Sequence, residues 1–157
     1  MTPLMQNDPS LLKRPSIRTH GCYFRGLSQL CEKAANKTLN DYQIIDQYDW
    51  CLKNGAMVDE KGRQAFVLDP TKVGRAAQFY LQVPQTFRAV SRKSIEGYNK
   101  NDFDTGEPAS FWLALGKIEK ANILHFWEID ENQNNLWDSL WPVRNKLQIV
   151  SVRGFAV

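Results

Sequence analysis

His20-Gly21-Cys22-Tyr23-Phe24 puts a cysteine at the amino end of the first strongly amphipathic stretch of the chain. From there Tyr23, Phe24, Leu27, Leu30, Cys31 and Ala34 recur at three- and four-residue intervals. That spacing predicts a helix from about Cys22 to Ala35 with one wide apolar stripe, hence buried along much of its length. Gly21, just ahead of it, removes a side chain where a substrate could approach the backbone.

Working outward, the next helix is predicted over 38–53. Thr38 is its expected N-cap, with Asp41 three residues on, close to a capping box. Leu39, Tyr42, Ile45, Tyr48 and Leu52 form its buried face, and Asn54-Gly55 supplies a left-handed stop. The two helices read as a helical hairpin. Met57 to Leu68 reads as a polar connection. Asp69-Pro70 then opens a third helix, the aspartate capping and the proline fitting the first turn. Val73, Ala76, Ala77, Tyr80 and Leu81 face inward, and Pro84 bars continuation.

Beyond Pro84 the period changes. Thr86-Phe87-Arg88-Ala89-Val90 alternates and reads as a strand. Residues 91–108 are polar, hold Gly97, Gly106 and Pro108, and read as a long loop. Strands are predicted at Ser110 to Leu115, at 122–130, at 135–140 and at Leu147 to Val152, antiparallel because their connections are short. Helices first and sheet second make an α+β fold, an N-terminal helical subdomain packed on a C-terminal twisted antiparallel β-sheet.

The 157 residues suit one domain, and 43% apolar with 24% charged residues is an ordinary globular composition. A net charge of +3 is too small to argue for nucleic acid. Arg88, Arg92 and Lys93 near Phe87 and Tyr98 are a small basic cluster that reads as a solvated loop base. No run approaches the roughly 18 apolar residues of a membrane span, and 1–15 lacks an apolar signal region. Residues 1–15 are therefore expected as a flexible lead-in, 16–157 as a single domain, and the location as cytoplasmic. The odd count of three cysteines disfavours a disulfide framework and favours a reducing compartment. Cys31 and Cys51 fall on apolar helix faces and read as inert core thiols.

Cys22 stands apart by position. A thiol attacks as its thiolate, a form favoured by the unpaired amides of a helix start and by a neighbouring histidine. His125, in Leu124-His125-Phe126-Trp127-Glu128-Ile129-Asp130, could be that neighbour. If 124–130 and 133–139 form a hairpin with a tight turn at Glu131-Asn132, then 125 lies opposite 138. Directly opposed side chains share a face, with Cβ atoms about 5 Å apart, so Asp138 could hold the ring in one tautomer. A slip of one residue would turn Asp138 away. Each residue also has a plainer reading: packing for Cys22, a satisfied core histidine for His125, a turn or cap for Asp138. His20 is a rival base, though residues two apart seldom face each other. The same trio could ligate a metal, but no paired zinc-type spacing is present and neither metal nor cofactor is expected. Trp127, Trp137 and Trp141 could line the core, a cleft or an oligomer interface.

Arg18-Thr19-His20-Gly21-Cys22-Tyr23-Phe24, the helical hairpin, Leu124-His125-Phe126, and Leu136-Trp137-Asp138-Ser139-Leu140-Trp141-Pro142 together resemble the C39-like branch of papain-like cysteine peptidases. They look most like small stand-alone members from phage and bacterial genomes, over about residues 16–142. The resemblance implies a papain-like domain with Cys22 as nucleophile, His125 as base and Asp138 as orienting acid. It implies amide hydrolysis through a thioester, the oxyanion held by the Cys22 amide and a side-chain donor, usually a glutamine a few residues upstream. Here no glutamine lies in the half-dozen residues before Cys22, so Arg18 is the substitute candidate. Ser139 stands where relatives tend to carry proline. Gly21, Tyr23, Trp127 and Trp141 are the cleft candidates.

Two functions follow as expectations. One is a thiol hydrolase acting on a peptide, isopeptide or peptidoglycan amide. The other is a papain-like scaffold without activity that binds a protein, for instance a phage-encoded inhibitor of a host target; fold alone does not choose between them.

Overall fold

The computed structural model describes residues 2–60, 64–95, 101–118, 123–140 and 148–157. Among these lie four α-helices, α1 (Pro15–His20), α2 (Cys22–Ala35), α3 (Asp41–Lys53) and α4 (Pro70–Tyr80). A short hairpin, β1 (Met57–Glu60) with β2 (Gln64–Val67), sits between α3 and α4. The remaining strands are β3 (Arg88–Ser94), β4 (Phe103–Asp104), β5 (Phe111–Ile118), β6 (Ile123–Ile129), β7 (Asn135–Trp137) and β8 (Gln148–Ala156). They form one antiparallel sheet in the order β4-β3-β8-β5-β6-β7. The fold is α+β, helices before sheet.

Local chemistry sets the helix ends. α2 stops at Asn36 in the left-handed region, φ 52°. α4 starts as its sequence predicts, with the Asp69 carboxylate accepting from Lys72 N and Pro70 in the first turn. α3 starts at Asp41, not at Thr38. Asn40 and Gln43 close a reciprocal capping box, which satisfies two amide donors that a Thr38 cap would leave for water.

Three other expectations are corrected. Residues 57–68 contain the β1–β2 hairpin, held down where Asp59 accepts from Ser16 Oγ at 2.8 Å and Tyr48 OH at 2.6 Å. The expected loop 91–108 holds strand in both of its described parts: β3 runs on to Ser94 and pairs with the two-residue β4. Its polar character misleads because β3 carries a bulge at Val90, whose carbonyl accepts from Thr105. The lead-in 1–15 contributes to the core: Leu11 is fully buried, and the Leu4 carbonyl accepts from the buried Arg25 guanidinium.

α2 is the central beam. Its apolar side joins α3, α4, Leu113, Phe126 and Phe155 in the main core. Gly26 lets it approach β5, since a Cβ there would touch the Leu113 methyls at 3.3–3.4 Å. Phe87 stacks on Phe155, centroids 5.3 Å apart, and a Cβ on Gly74 would strike the Phe87 ring at 2.0 Å. At the far end of α2, Lys33 Nζ reaches the buried Glu128 of β6 at 3.1 Å. Burial pushes the Glu128 carboxyl up and Lys33 pulls it back. A second, smaller cluster covers the other sheet face: Ala114, Trp127 and Ile129, with Trp112, Ile149 and Val152 against it.

Candidate active site

Cys22 is the first residue of α2, half-buried, just after Gly21 separates that helix from α1. Gly21 N–H bonds the Ile17 carbonyl, and a Cβ on Gly21 would lie 2.2 Å from that oxygen. The glycine is thus dictated by the close junction of α1 and α2. This differs from the expected role of clearing room for a substrate.

In an uninterrupted helix the Cys22 N–H would bond the Arg18 carbonyl. That carbonyl instead accepts from Gln6 Nε2 at 3.0 Å. Among the described hydrogen bonds none uses the Cys22 N–H, so α2 begins with a donor beside the thiol.

His125 is 3% exposed and lies opposite Gly116. A bulge in the β5–β8 pairing falls at that glycine. His125 Nε2 lies 2.8 and 2.9 Å from the two Asp138 oxygens. That leaves Nδ1 for the thiol, and a hydrogen bond links the His125 ring to Cys22. Burial pulls the imidazole pKa down, but the Asp138 and Cys22 hydrogen bonds and their charges outweigh it and raise the value to about 9. The shift favours the protonated ring at neutral pH.

Asp138 reaches His125 by another route than the expected one. β6 and β7 pair through Glu128↔Trp137 and Ile129↔Asn135 with a bulge between, so 125 does not oppose 138. The offset from the expected register is two residues at Glu128↔Trp137 and one at Ile129↔Asn135. β7 ends at Trp137, so Asp138 stands in the turn beyond it, not on a strand. Its Oδ1 also accepts from Leu140 N at 2.9 Å, which fixes the carboxylate. The tight turn expected at Glu131-Asn132 is instead organised by Asp130, whose carboxylate accepts from Asn132 N and Asn134 N, with Gln133 at φ 65°.

The other candidates separate. Tyr23 stacks on Phe126, centroids 3.9 Å apart and planes within 8°. Trp127 is 3% exposed, parallel to His125 at 6.3 Å, with its Nε1–H on Asn135; it backs the imidazole, and is corrected from an open cleft wall. Trp141 lies outside the described residues, as does Tyr98. Trp137 is half-buried and His20 exposed. Arg18 is half-buried, its Nε without a hydrogen-bond partner. Cys31 and Cys51 are buried, and burial raises both thiols, Cys51 to about 12. Arg88 pairs with Glu107 and Lys93 with Asp104.

Gln6 was missed by sequence reasoning. It is 1% exposed, its N–H bonds the Ser139 carbonyl at 2.9 Å and its Oε1 accepts from Ser139 Oγ. One side chain therefore ties the turn carrying Asp138 to the end of α1 just before Cys22. Ser139, where relatives of the resembled family tend to have proline, supplies the hydroxyl for this tie. No periodicity marks Gln6, because its partners are distant in sequence.

No protein-family profile, no curated protein and no solved structure matches the chain. Among the described residues no helix is long and apolar enough to cross a membrane.

Proposed function

We propose that the protein is a small papain-like thiol hydrolase that cleaves a peptide, isopeptide or peptidoglycan amide through Cys22. The observation that carries this reading is a single imidazole bridging a half-buried thiol and a fixed carboxylate. Cys22 Sγ adds to the amide carbonyl, and the oxyanion forms beside the Cys22 N–H. His125 donates its proton to the departing amine as the C–N bond breaks, leaving a thioester. His125 then takes a proton from water, the hydroxide adds to the thioester carbonyl and expels the Cys22 thiolate as a carboxylic acid forms, and the thiolate–imidazolium pair is restored. Asp138 keeps Nε2 engaged so that Nδ1 faces the sulfur.

One observation favours the second reading, a binding scaffold without turnover: Gln6 spends its amide on Arg18 and Ser139, and so is not offered as the usual side-chain oxyanion donor. Iodoacetamide at neutral pH separates the two. Rapid alkylation confined to Cys22, lost in His125→Ala, is expected for the enzyme. A rate no faster than that of a free small-molecule thiol would reject it and leave the scaffold.

A further inference from the structure

A cavity of about 260 Å³ opens between the start of α2 and the sheet, and Tyr23, Pro70, Arg92, Phe103, Arg153 and Phe155 are among its walls. Two of these walls are cationic. Arg92 of β3 and Arg153 of β8 are directly paired in the strand register. Arg153 is moreover only 7% exposed. Its guanidinium lies over the rings of Tyr23 and Phe126, 4.9 and 4.7 Å from their centroids, which holds the charge in place. Its Nε is buried with no hydrogen-bond partner, and among the described residues no carboxylate forms an ion pair with it. Asp102, an exposed acid whose carboxyl is lowered chiefly by Ser94 and also by both arginines, accepts from Ser94 N and Oγ at 2.9 and 2.6 Å.

We propose that this cavity is a carboxylate-binding subsite, with Arg153 and Arg92 holding the anion and Tyr23, Phe103 and Phe155 enclosing its apolar stem. A planar guanidinium fork matches a carboxylate in geometry, and an occupant would give Arg153 a buried counterion. Tyr23, a wall of the cavity, follows Cys22 at the start of α2. With the hydrolysis proposed above, the substrate class is a peptide carrying a carboxylate, on an acidic side chain or at a chain end. Only this last step rests on the proposed hydrolysis; the binding does not.

The test reads binding alone, in Cys22→Ala protein, by NMR titration of the Arg153 and Tyr23 signals. Three probes are compared: N-acetyl-glutamate α-amide, with a side-chain carboxylate; N-acetyl-glutamine, with a terminal carboxylate; and N-acetyl-glutamine α-amide, with neither. Saturable shifts with one or both acids and none with the neutral amide are expected, and the stronger acid identifies the source. Arg92→Gln, on a partly exposed position, should weaken that binding about tenfold or more, as should Arg153→Gln where it folds. Equal response to all three probes, no response to any, or saturable binding of inorganic phosphate in place of both acids overturns the proposal. Unchanged affinity in folded Arg92→Gln does so too. Slow alkylation of Cys22 with intact carboxylate binding would reject the hydrolase and keep the subsite.

Discussion

His125 carries the strongest residue-scale consequence. Its pKa is raised from 6.5 to about 9 although burial opposes the charge, because Asp138 and Cys22 both favour the protonated ring. A group raised in the folded state adds stability that is complete below the unfolded value. It is lost as pH climbs through the folded one. Stability is therefore expected to decline between pH 6.5 and about 9, with the ring titrating near the upper end. Heteronuclear NMR of the imidazole checks this, and Asp138→Asn should move the midpoint down. A midpoint near the ordinary histidine value in the parent protein would mean that the partners do no more than offset burial, and one below it that neither engages the ring. The cysteines were legible at this scale. A buried free thiol in an apolar helix face looks like Cys31 or Cys51, whereas Cys22 was singled out by its place at a helix start.

At the scale of elements, the break between α1 and α2 decides where the thiol sits. Gly21 has φ −87°, a conformation open to any residue, so its need is one of space. Gly21→Ala drives a methyl into the Ile17 carbonyl, a backbone atom that cannot swing aside. The expected cost is on the order of 2 kcal/mol, read as a lower denaturation midpoint. Alkylation at Cys22 should slow as the helix start shifts. If the variant were as stable as the parent, the junction would be looser than described. The helix boundaries at Ala35, Asp69 and Asn54-Gly55 were readable because caps are local: donor and acceptor lie within four residues. The α3 start was misread for the same reason, Asn40 and Gln43 being a better box than Thr38 and Asp41. Strand ends and register were not readable. Bulges at Val90, at Gly116 and between Glu128 and Ile129 shift pairings without leaving a pattern in one strand alone.

Across the whole molecule, the amino-terminal segment closes the structure. Gln6 reaches Arg18 and Ser139, partners 12 and 133 residues away. Gln6→Ala leaves the buried Ser139 hydroxyl and the part-buried Arg18 carbonyl short of a partner, an expected loss of about 1–3 kcal/mol. It also loosens the turn holding Asp138, so Cys22 alkylation should fall by up to about 100-fold. Chemical denaturation and labelling rates measured on the same variant check both effects. A stability loss with full reactivity would confine Gln6 to packing. The sequence by itself determined the helix pattern, the α+β order and the candidate trio, since amphipathic period, caps and residue type are written within short windows. Only the tertiary structure decided how Asp138 meets His125, what Gln6 and Gly21 are for, and that two arginines share one cavity. Each of these depends on pairing between segments far apart in the chain, where a shift of one residue changes which side chains meet.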